Sequence, residues 1–234
     1  MHFLITNDDG INAQGIAALE AAARALGARV TVVAPATEQS MCGHRVTTHA
    51  ALRVEQLAED RYAVAGTPAD CVRIALFALG LRPDFVLSGI NHGGNLGQDI
   101  VISGTLAAAR EAAYHGLRAA AFSHDIIGGM AFDWPRVEQW VQSILGGLLE
   151  KPTRDGTFWN VNLPHLPPGE MAMPQVVQTR PARSPLPVAF TREADAEGAM
   201  LYRYAARYAE RPRDADSDVA VCFGGSISVS ELSL

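Results

Sequence analysis

The sequence of 234 residues contains one lysine, three cysteines and no long apolar run. With Lys151 as its only lysine, the chain has neither a P-loop lysine nor an obvious Schiff-base lysine, and chemistry that depends on them is excluded. The cysteines are odd in number, widely spaced and outside any Cys-x-x-Cys pair. A disulfide framework and a structural zinc site are therefore unsupported, and a reducing compartment is favoured.

Charge and hydropathy narrow the partners that the chain can have. The formal net charge is -6 and the basic residues are scattered, so we expect no groove for a nucleic acid polymer. No apolar stretch reaches the length of a membrane span, and the first residues show no basic region followed by an apolar stretch and a cleavage site. We therefore expect a cytoplasmic protein without a membrane partner.

Short apolar or β-branched runs alternate with amphipathic stretches of helical period over most of the chain. This alternation is typical of parallel βαβ units, so we predict a layered α/β core over residues 1–172. The predicted strands are 2–6, 30–34, 51–54, 62–65, 85–88, 119–123 and 158–163, and the predicted helices are 13–26, 67–79, 103–114 and 134–149. Trp134 and Trp140, near or on the apolar face of the last helix, are predicted to serve packing.

The regular alternation fades after residue 172. Residues 173–218 are rich in proline, arginine and acidic side chains around a tyrosine-rich stretch, which predicts an extended arm or hairpin with oligomer contacts. A mobile surface loop is an equally good interpretation of the same composition. Residues 219–223 and 227–229 resume strand character, so 219–234 is predicted to return to the core as terminal strands.

Two adjacent carboxylates, Asp8 and Asp9, follow the first predicted strand directly. Burying one unpaired carboxylate costs several kcal/mol, so the pair needs a cation, a buried arginine or free solvent. Mg²⁺ or Mn²⁺ accepts oxygen ligands and keeps several waters, which suits such a pair. The alternative is an ordinary turn, because Asp-Gly is a common turn dipeptide.

Other polar loops are predicted to reach the same edge of the sheet, because ligands bind outside the carboxyl ends of parallel strands. Ser40 and Asn91 follow two further strands and offer neutral oxygen ligands. The glycine-rich loop at 89–99 allows backbone amides to approach an oxyanion. The turn Ser103-Gly104-Thr105 opens a helix, where phosphate is favoured. A metal beside an anion cradle indicates phosphate chemistry.

Several ordered motifs make the chain resemble the SurE family, the stationary-phase survival proteins that act as metal-dependent nucleotidases. The resemblance covers nearly the whole chain. Its motifs are LITNDDGINAQGI (4–16), VVAPATEQS (32–40), GTPADCV (66–72), PDFVLSGINHGGNLGQD (83–99), ISGTLAAAREA (102–112), NVNLP (160–164) and a weaker SDVAVCFGGSISVSEL near the end.

The resemblance implies a Rossmann-like fold and hydrolysis of nucleoside 5′- or 3′-monophosphates by metal-activated water. It places one divalent cation, Mg²⁺ or Mn²⁺, on Asp8, Asp9, Ser40 and Asn91, with the two aspartates as the catalytic residues. It also implies a homodimer or homotetramer formed through the C-terminal arm. Phosphate contacts map onto Asn95, Ser103, Gly104 and Thr105.

The alternatives to a water-based nucleotidase rest on specific residues. The sequence departs from the family pattern at Met41, where a glycine is usual, and at Ile102 and Ser226. A non-catalytic nucleotide-binding module on the same fold therefore remains a second hypothesis. A covalent aspartyl-phosphate is a competing mechanism, and His92 is a candidate acid for the leaving group.

Overall fold

The structure is a computed structural model that describes residues 1–152, 154–169 and 172–234. Its strands are β1 (His2–Thr6), β2 (Arg29–Pro35), β3 (Val54–Ala58), β4 (Arg61–Val64), β5 (Phe85–His92), β6 (Arg118–His124), β7 (Thr157–Leu163), β8 (Val176–Gln178), β9 (Phe190–Ala194), β10 (Met200–Tyr204) and β11 (Ile227–Ser233). Its α-helices are α1 (Gln14–Ala25), α2 (Pro68–Arg73), α3 (Asp99–Ile102), α4 (Gly104–Tyr114), α5 (Trp134–Glu150) and α6 (Asp218–Phe223).

Within the described ranges, nine strands form one sheet in the order β3-β4-β2-β1-β5-β6-β7-β11-β8. The pairs from β4 to β7 are all parallel, and antiparallel pairing occurs where β3 meets β4 and where β11 meets β7. Helices cover both faces, with α1 and α5 on one and α2 and α4 on the other. The predicted Rossmann-like, mostly parallel α/β fold is therefore confirmed.

Local sequence signals explain the start of α2. Thr67 Oγ1 accepts a hydrogen bond from the Asp70 backbone N–H at 3.2 Å, and Asp70 Oδ2 accepts one from the Thr67 N–H at 3.0 Å. This reciprocal capping box satisfies two backbone donors that the first helical turn leaves without partners. Pro68 occupies the first turn, where no N–H is needed. Thr67 is therefore the N-cap of α2.

Three predicted strands differ from the structure, and the one predicted at 51–54 is found at Val54–Ala58. The run at 219–223, predicted as a strand, lies in α6 (Asp218–Phe223), because the Ser217 hydroxyl accepts the Ala220 N–H at 3.1 Å and starts a helix. The strand predicted at 85–88 continues to His92. At Gly89 a Cβ would lie 2.2 Å from the Phe122 carbonyl oxygen, so this glycine lets β5 continue close to β6.

The C-terminal part contributes to two separate sheets. β9 and β10 form an antiparallel hairpin whose strand residues are all exposed, inside the region predicted to be an arm or hairpin. β8, predicted as part of the same arm, instead pairs with β11 in the main sheet. Within the described ranges, no helix is long and apolar enough to cross a bilayer.

Candidate active site

The loops after β1 and β2, the end of β5 and the start of α4 meet at one edge of the sheet. The Gln39 backbone N–H donates to the Asp8 carbonyl oxygen at 2.7 Å. The His92 N–H donates to Asp9 Oδ2 at 2.9 Å, and Thr105 Oγ1 donates to Asp8 Oδ1 at 2.7 Å. These three hydrogen bonds bring together the segments that the strand ends predicted.

The carboxylates of Asp8 and Asp9 are held close together in a poorly solvated place. Asp8 is only 5% exposed, and none of the ion pairs between described residues involves either side chain. The pKa of Asp8 is raised to about 6, because burial and the charge of Asp9 together outweigh the lowering effect of the Thr105 hydroxyl. Burial also raises the pKa of Asp9, although the hydrogen bond from the His92 N–H lowers it. The pair therefore lacks the positive charge that would stabilise it.

The metal-free protein is expected to lose stability as the pH rises through about 6. The folded-state pKa of Asp8 is raised from 3.8, so its stabilising contribution is full below pH 3.8 and lost as the pH passes about 6. The loss amounts to about 3 kcal/mol. A divalent cation bound at this predicted site would need the ionised carboxylate, so Mn²⁺ should raise the melting temperature more at pH 7.5 than at pH 5.

Thermal denaturation in EDTA and in Mn²⁺ at both pH values measures this effect. The variant Asp8→Asn serves as the control, because it separates Asp8 from the other acidic groups that titrate in the same range. An equal Mn²⁺ shift of the melting temperature at pH 5 and pH 7.5 would contradict the expectation.

The oxygen atoms predicted as further metal ligands lie near the carboxylate pair. Asp9 and Ser40 line one cavity, and Asn91 directly precedes His92, whose N–H binds Asp9. The Ser40 hydroxyl donates to Glu38 Oε1 at 2.5 Å, and Asn91 Nδ2 donates to the Gly93 carbonyl at 2.8 Å. In both bonds the side chain donates a hydrogen. The hydroxyl oxygen of Ser40 and the amide oxygen of Asn91 therefore still have lone pairs to offer.

The donor set fits a hard divalent cation. It consists of two carboxylates without a basic partner and two neutral oxygens, the ligand type that Mg²⁺ and Mn²⁺ prefer. In the part of the chain that the structure describes, no three His, Cys, Asp or Glu side chains are grouped for metal binding. A thiolate or imidazole site of the zinc type is therefore not the arrangement found there.

The start of α4 lies directly against Asp8. A Cβ on Gly104 would stand 3.0 Å from Asp8 Oδ2 and 2.9 Å from Cys42 Sγ, so only glycine allows this approach. The Ser103 hydroxyl accepts the Leu106 N–H at 3.1 Å and serves as the N-cap. The N–H groups of Gly104 and Thr105 belong to the first turn and have no acceptor within the helix, and the Thr105 N–H is directed at the Asp8 carboxylate. This turn can bind an anion beside the carboxylates.

Asn95 lies next to this turn. Its Nδ2 donates to Ser123 Oγ at 2.8 Å and stands 3.5 Å from Thr105 Oγ1. An amide nitrogen carries two hydrogens, so the second one is directed at Thr105 Oγ1 in a long bond that a phosphate oxygen would replace. The structure thus brings Asn95 and Thr105 together at the predicted phosphate position, whereas the Ser103 hydroxyl is used for capping.

Two asparagines of β7 hold Asn95 in place, and the sequence reasoning gave them no role. Asn162 Oδ1 accepts the Asn95 N–H at 2.8 Å, and its Nδ2 donates to the Asn95 carbonyl at 3.1 Å. Asn160 Nδ2 donates to the same carbonyl at 2.9 Å. Both side chains are fully buried. Amides at alternate positions of an apolar strand were the available signal, because buried polar groups require partners.

The loop that carries Ser40 is anchored to the outer side of α4. His44 Nε2 lies 2.7 Å from Glu111 Oε2, and Arg73 Nε lies 2.6 Å from Glu111 Oε1. Burial raises the pKa of Glu111, but its hydrogen bonds with His44, Arg73 and His115 lower it to about 2. The buried, ionised Glu111 therefore fixes this loop relative to the helix that starts at the anion position.

The fold and this edge can be compared with known proteins. The sequence profile described as Survival protein SurE matches residues 3–185. The chain belongs to the SurE family. A protein of Nostoc sp. (strain PCC 7120) is 46% identical to it over 232 residues, which are 99% of each chain. A protein of Allorhizobium ampelinum with the name 5′-nucleotidase SurE is 38% identical over 239 residues, covering 100% of this chain and 92% of its own length.

A SurE structure confirms the architecture. The crystal structure of the SurE protein from Aquifex aeolicus matches with a TM-score of 0.87 at 32% identity, and the match covers 100% of this chain and 93% of that one. The SurE resemblance predicted from the motifs is therefore confirmed. Met41, predicted to depart from the family pattern, has a φ of 53°, a left-handed conformation that favours glycine. It is 78% exposed and does not line the cavity beside Asp9.

Proposed function

We propose that this SurE family member is a metal-dependent phosphomonoesterase that hydrolyses nucleoside monophosphates, with the 5′-monophosphate as its main substrate class. Relatives from Allorhizobium ampelinum and Moorella thermoacetica, each 38% identical over essentially all of this chain, carry the name 5′-nucleotidase SurE. The observation that carries the proposal is the hydrogen bond from Thr105 to Asp8. It joins an unpaired carboxylate pair to a helix start suited to phosphate.

We assign one divalent cation, Mg²⁺ or Mn²⁺, to Asp8, Asp9, Ser40 and Asn91. When bound there, the cation supplies Lewis-acid stabilisation of the phosphoryl group and lowers the pKa of a water. The position of Asp8 between Asp9 and the start of α4 supports this assignment, since the phosphate and the cation need to be neighbours.

We assign the phosphate to the Asn95 amide and to the N–H groups of Gly104 and Thr105 in the first turn of α4, whose N-cap is Ser103. Each well-placed donor to the developing negative charge contributes roughly 3 kcal/mol to transition-state stabilisation. The remaining oxygen of either carboxylate can take the water proton, since Asp9 Oδ2 accepts the His92 N–H and Asp8 Oδ1 accepts the Thr105 hydroxyl hydrogen. The same bond makes Asp8 a poor nucleophile, which favours attack by water over a covalent aspartyl-phosphate.

Phosphate release from AMP in Mn²⁺, Mg²⁺ or EDTA tests the function. Release that depends on the cation and stops in EDTA is the expected result. The second hypothesis is a nucleotide-binding module without turnover, and the left-handed Met41 next to Ser40 keeps it open. Retained AMP binding without phosphate release in any metal would select that module.

We also propose that the chain functions as a homodimer or homotetramer in the cytoplasm. The hairpin of β9 and β10 supports assembly, because it exposes large apolar and aromatic side chains that a partner surface would cover: Phe190, Met200, Leu201, Tyr202 and Tyr204. The free cysteines of the described chain, Cys42, Cys71 and Cys222, agree with a reducing compartment. The division into a core at 1–172, an arm at 173–218 and a terminal segment at 219–234 is part of the same proposal.

A further inference from the structure

The glycine-rich loop that carries Asn95 packs against the C-terminal part of the chain. Leu96 is fully buried in a small apolar cluster. Its partners come from the segments on either side of the exposed hairpin of β9 and β10: Ala182, Val219 and Cys222. The outer side of the loop is therefore supported by the same segments that carry the hairpin.

A buried ion pair strengthens this support. Asp99 is 8% and Arg211 4% exposed, and Arg211 Nη1 donates to Asp99 Oδ2 at 2.6 Å. The other terminal nitrogen of the same guanidinium, Nη2, donates to the Leu96 carbonyl at 2.8 Å. A planar guanidinium holds two acceptors in one fixed orientation, which an ammonium on a flexible stem does not. Arg211 therefore fixes the loop at both Leu96 and Asp99.

Tyr208 adds a second donor to the same carboxylate. Its hydroxyl donates to Asp99 Oδ2 at 2.7 Å, and the guanidinium carbon of Arg211 lies 4.6 Å from the centre of its ring. Burial and the charge of Asp99 raise the pKa of Tyr208, so its hydroxyl keeps its proton and remains a donor at neutral pH. On the other side of the hairpin, the Leu186 N–H donates to Gln98 Oε1 at 3.0 Å. Both ends of the hairpin are thus hydrogen-bonded to the glycine-rich loop.

Asp99 connects the two elements that we assign to the phosphate. It lies halfway along the chain between Asn95 and Ser103, the N-cap of α4. Its carboxylate also accepts the Leu96 N–H at 3.2 Å, and its carbonyl accepts the Ser103 N–H at 3.0 Å. A displacement of Asp99 would therefore move Asn95 and the first turn of α4 relative to each other. A misplacement of about 1 Å in a catalytic site can lower the rate by a factor of about 100.

We propose that Arg211 and Tyr208 are positioning residues, which act through Asp99 to align the two elements assigned to the phosphate. The inference rests on the proposed function, because it takes the substrate phosphate to lie at Asn95 and the first turn of α4. It gives the base of the hairpin a role in the reaction in addition to its place in the fold. The residues assigned to the cation lie outside the segment from Asn95 to Ser103, so the effect should appear in kcat and in phosphate affinity and leave the Mn²⁺ requirement unchanged.

Hydrolysis of AMP by Tyr208→Phe and Arg211→Lys tests the inference. The first variant keeps the ring and removes one donor to Asp99, and the second keeps the positive charge and removes the two-pronged contact. In each, kcat should fall about tenfold, and the inhibition constant of inorganic phosphate in saturating Mn²⁺ should rise about fivefold. The Mn²⁺ concentration that gives half-maximal activity should stay within about twofold of the native value, which separates misalignment of the phosphate donors from damage to the cation site.

The matched controls are Tyr204→Phe and Arg203→Lys, which make the same two substitutions within the arm. The Tyr204 hydroxyl donates to the Pro187 carbonyl at 2.8 Å, and Arg203 Nε lies 2.6 Å from Glu193 Oε1. Among the described residues, neither side chain is bonded to the glycine-rich loop. Both controls should therefore keep the native kcat and the native inhibition by phosphate.

The possible outcomes are distinct. Native values of kcat and of phosphate inhibition in Tyr208→Phe, measured below its melting temperature, would overturn the inference and leave the phosphomonoesterase function intact. This variant decides the matter alone if Arg211→Lys does not fold. An equal loss of kcat in the controls would also overturn the inference, because the effect would then belong to the whole arm. Absence of phosphate release from the native protein in any metal would instead refute the proposed function.

Discussion

Replacing Asp8 with asparagine is expected to lower Mn²⁺-dependent phosphate release from AMP by roughly a thousandfold or more while raising the melting temperature of the metal-free protein. The asparagine oxygen can still accept the Thr105 hydroxyl, so the hydrogen bond that joins β1 to α4 persists. The buried negative charge and its repulsion from Asp9 are removed. The gain at pH 7 should be about 2 kcal/mol, which corresponds to a shift of roughly 5 °C.

Phosphate release and thermal denaturation in EDTA measure the two halves of this expectation. Asp195→Asn is the matched control, because Asp195 accepts the backbone N–H groups of Glu197 and Ala199 in the hairpin turn and takes no part in the site. It should change neither activity nor the response to Mn²⁺. The assignment of the carboxylate pair to the metal site would be contradicted if the Asp8→Asn protein kept a tenth of the activity, or if it melted below the native protein in EDTA.

Replacing Asn162 with alanine is expected to destabilise the protein by about 3 kcal/mol and to lower kcat for AMP by roughly a hundredfold. The substitution leaves the buried Asn95 N–H without its acceptor and opens a void in β7. The Asn95 carbonyl keeps the bond from Asn160, so the loop stays attached but loses its orientation. Urea denaturation gives the free energy of unfolding, and kcat is measured where both proteins are fully folded.

The variant Thr179→Val is the control that separates a loss of stability from a loss of the correct Asn95 orientation. The Thr179 hydroxyl makes a buried hydrogen bond of 2.8 Å with Ser230, whose register partner on β7 is Asn160, and its loss removes none of the hydrogen bonds that hold Asn95. Its loss should cost about 1 kcal/mol of stability and leave kcat within about twofold. If Asn162→Ala destabilised the protein yet left kcat unchanged, Asn162 would have only a structural role. Catalysis would then not require the hydrogen bonds that Asn162 makes with Asn95.

The sequence predicts the regular part of the fold because local signals and tertiary packing agree there. β1 has the predicted bounds, and α1 and α5 lie within one or two residues of theirs. Alternation of apolar runs also predicts parallel strands, and the rule that ligands bind at their carboxyl ends brings Asp8, Asp9 and Thr105 together. The metal and phosphate roles of these residues remain predictions.

The wrong and the missed predictions also have physical causes. The run at 219–223 is apolar and partly β-branched, so its composition favours a strand, but the six residues of α6 are too few for helical period to appear. The N-cap at Ser217 decides the outcome. The hydrogen bonds that Asn160 and Asn162 make with Asn95 join residues more than sixty positions apart. Such contacts depend on which strands become neighbours, and no local pattern contains that information.

The position of β11 carries a consequence for how the chain completes its fold. This strand lies between β7 and β8, so a chain cut before Ile227 would leave the edge of β7 unpaired and β8 without its neighbour in the sheet. An unpaired strand edge is a template for association with other chains. During synthesis, the fold would therefore stay vulnerable to aggregation until its last strand has left the ribosome.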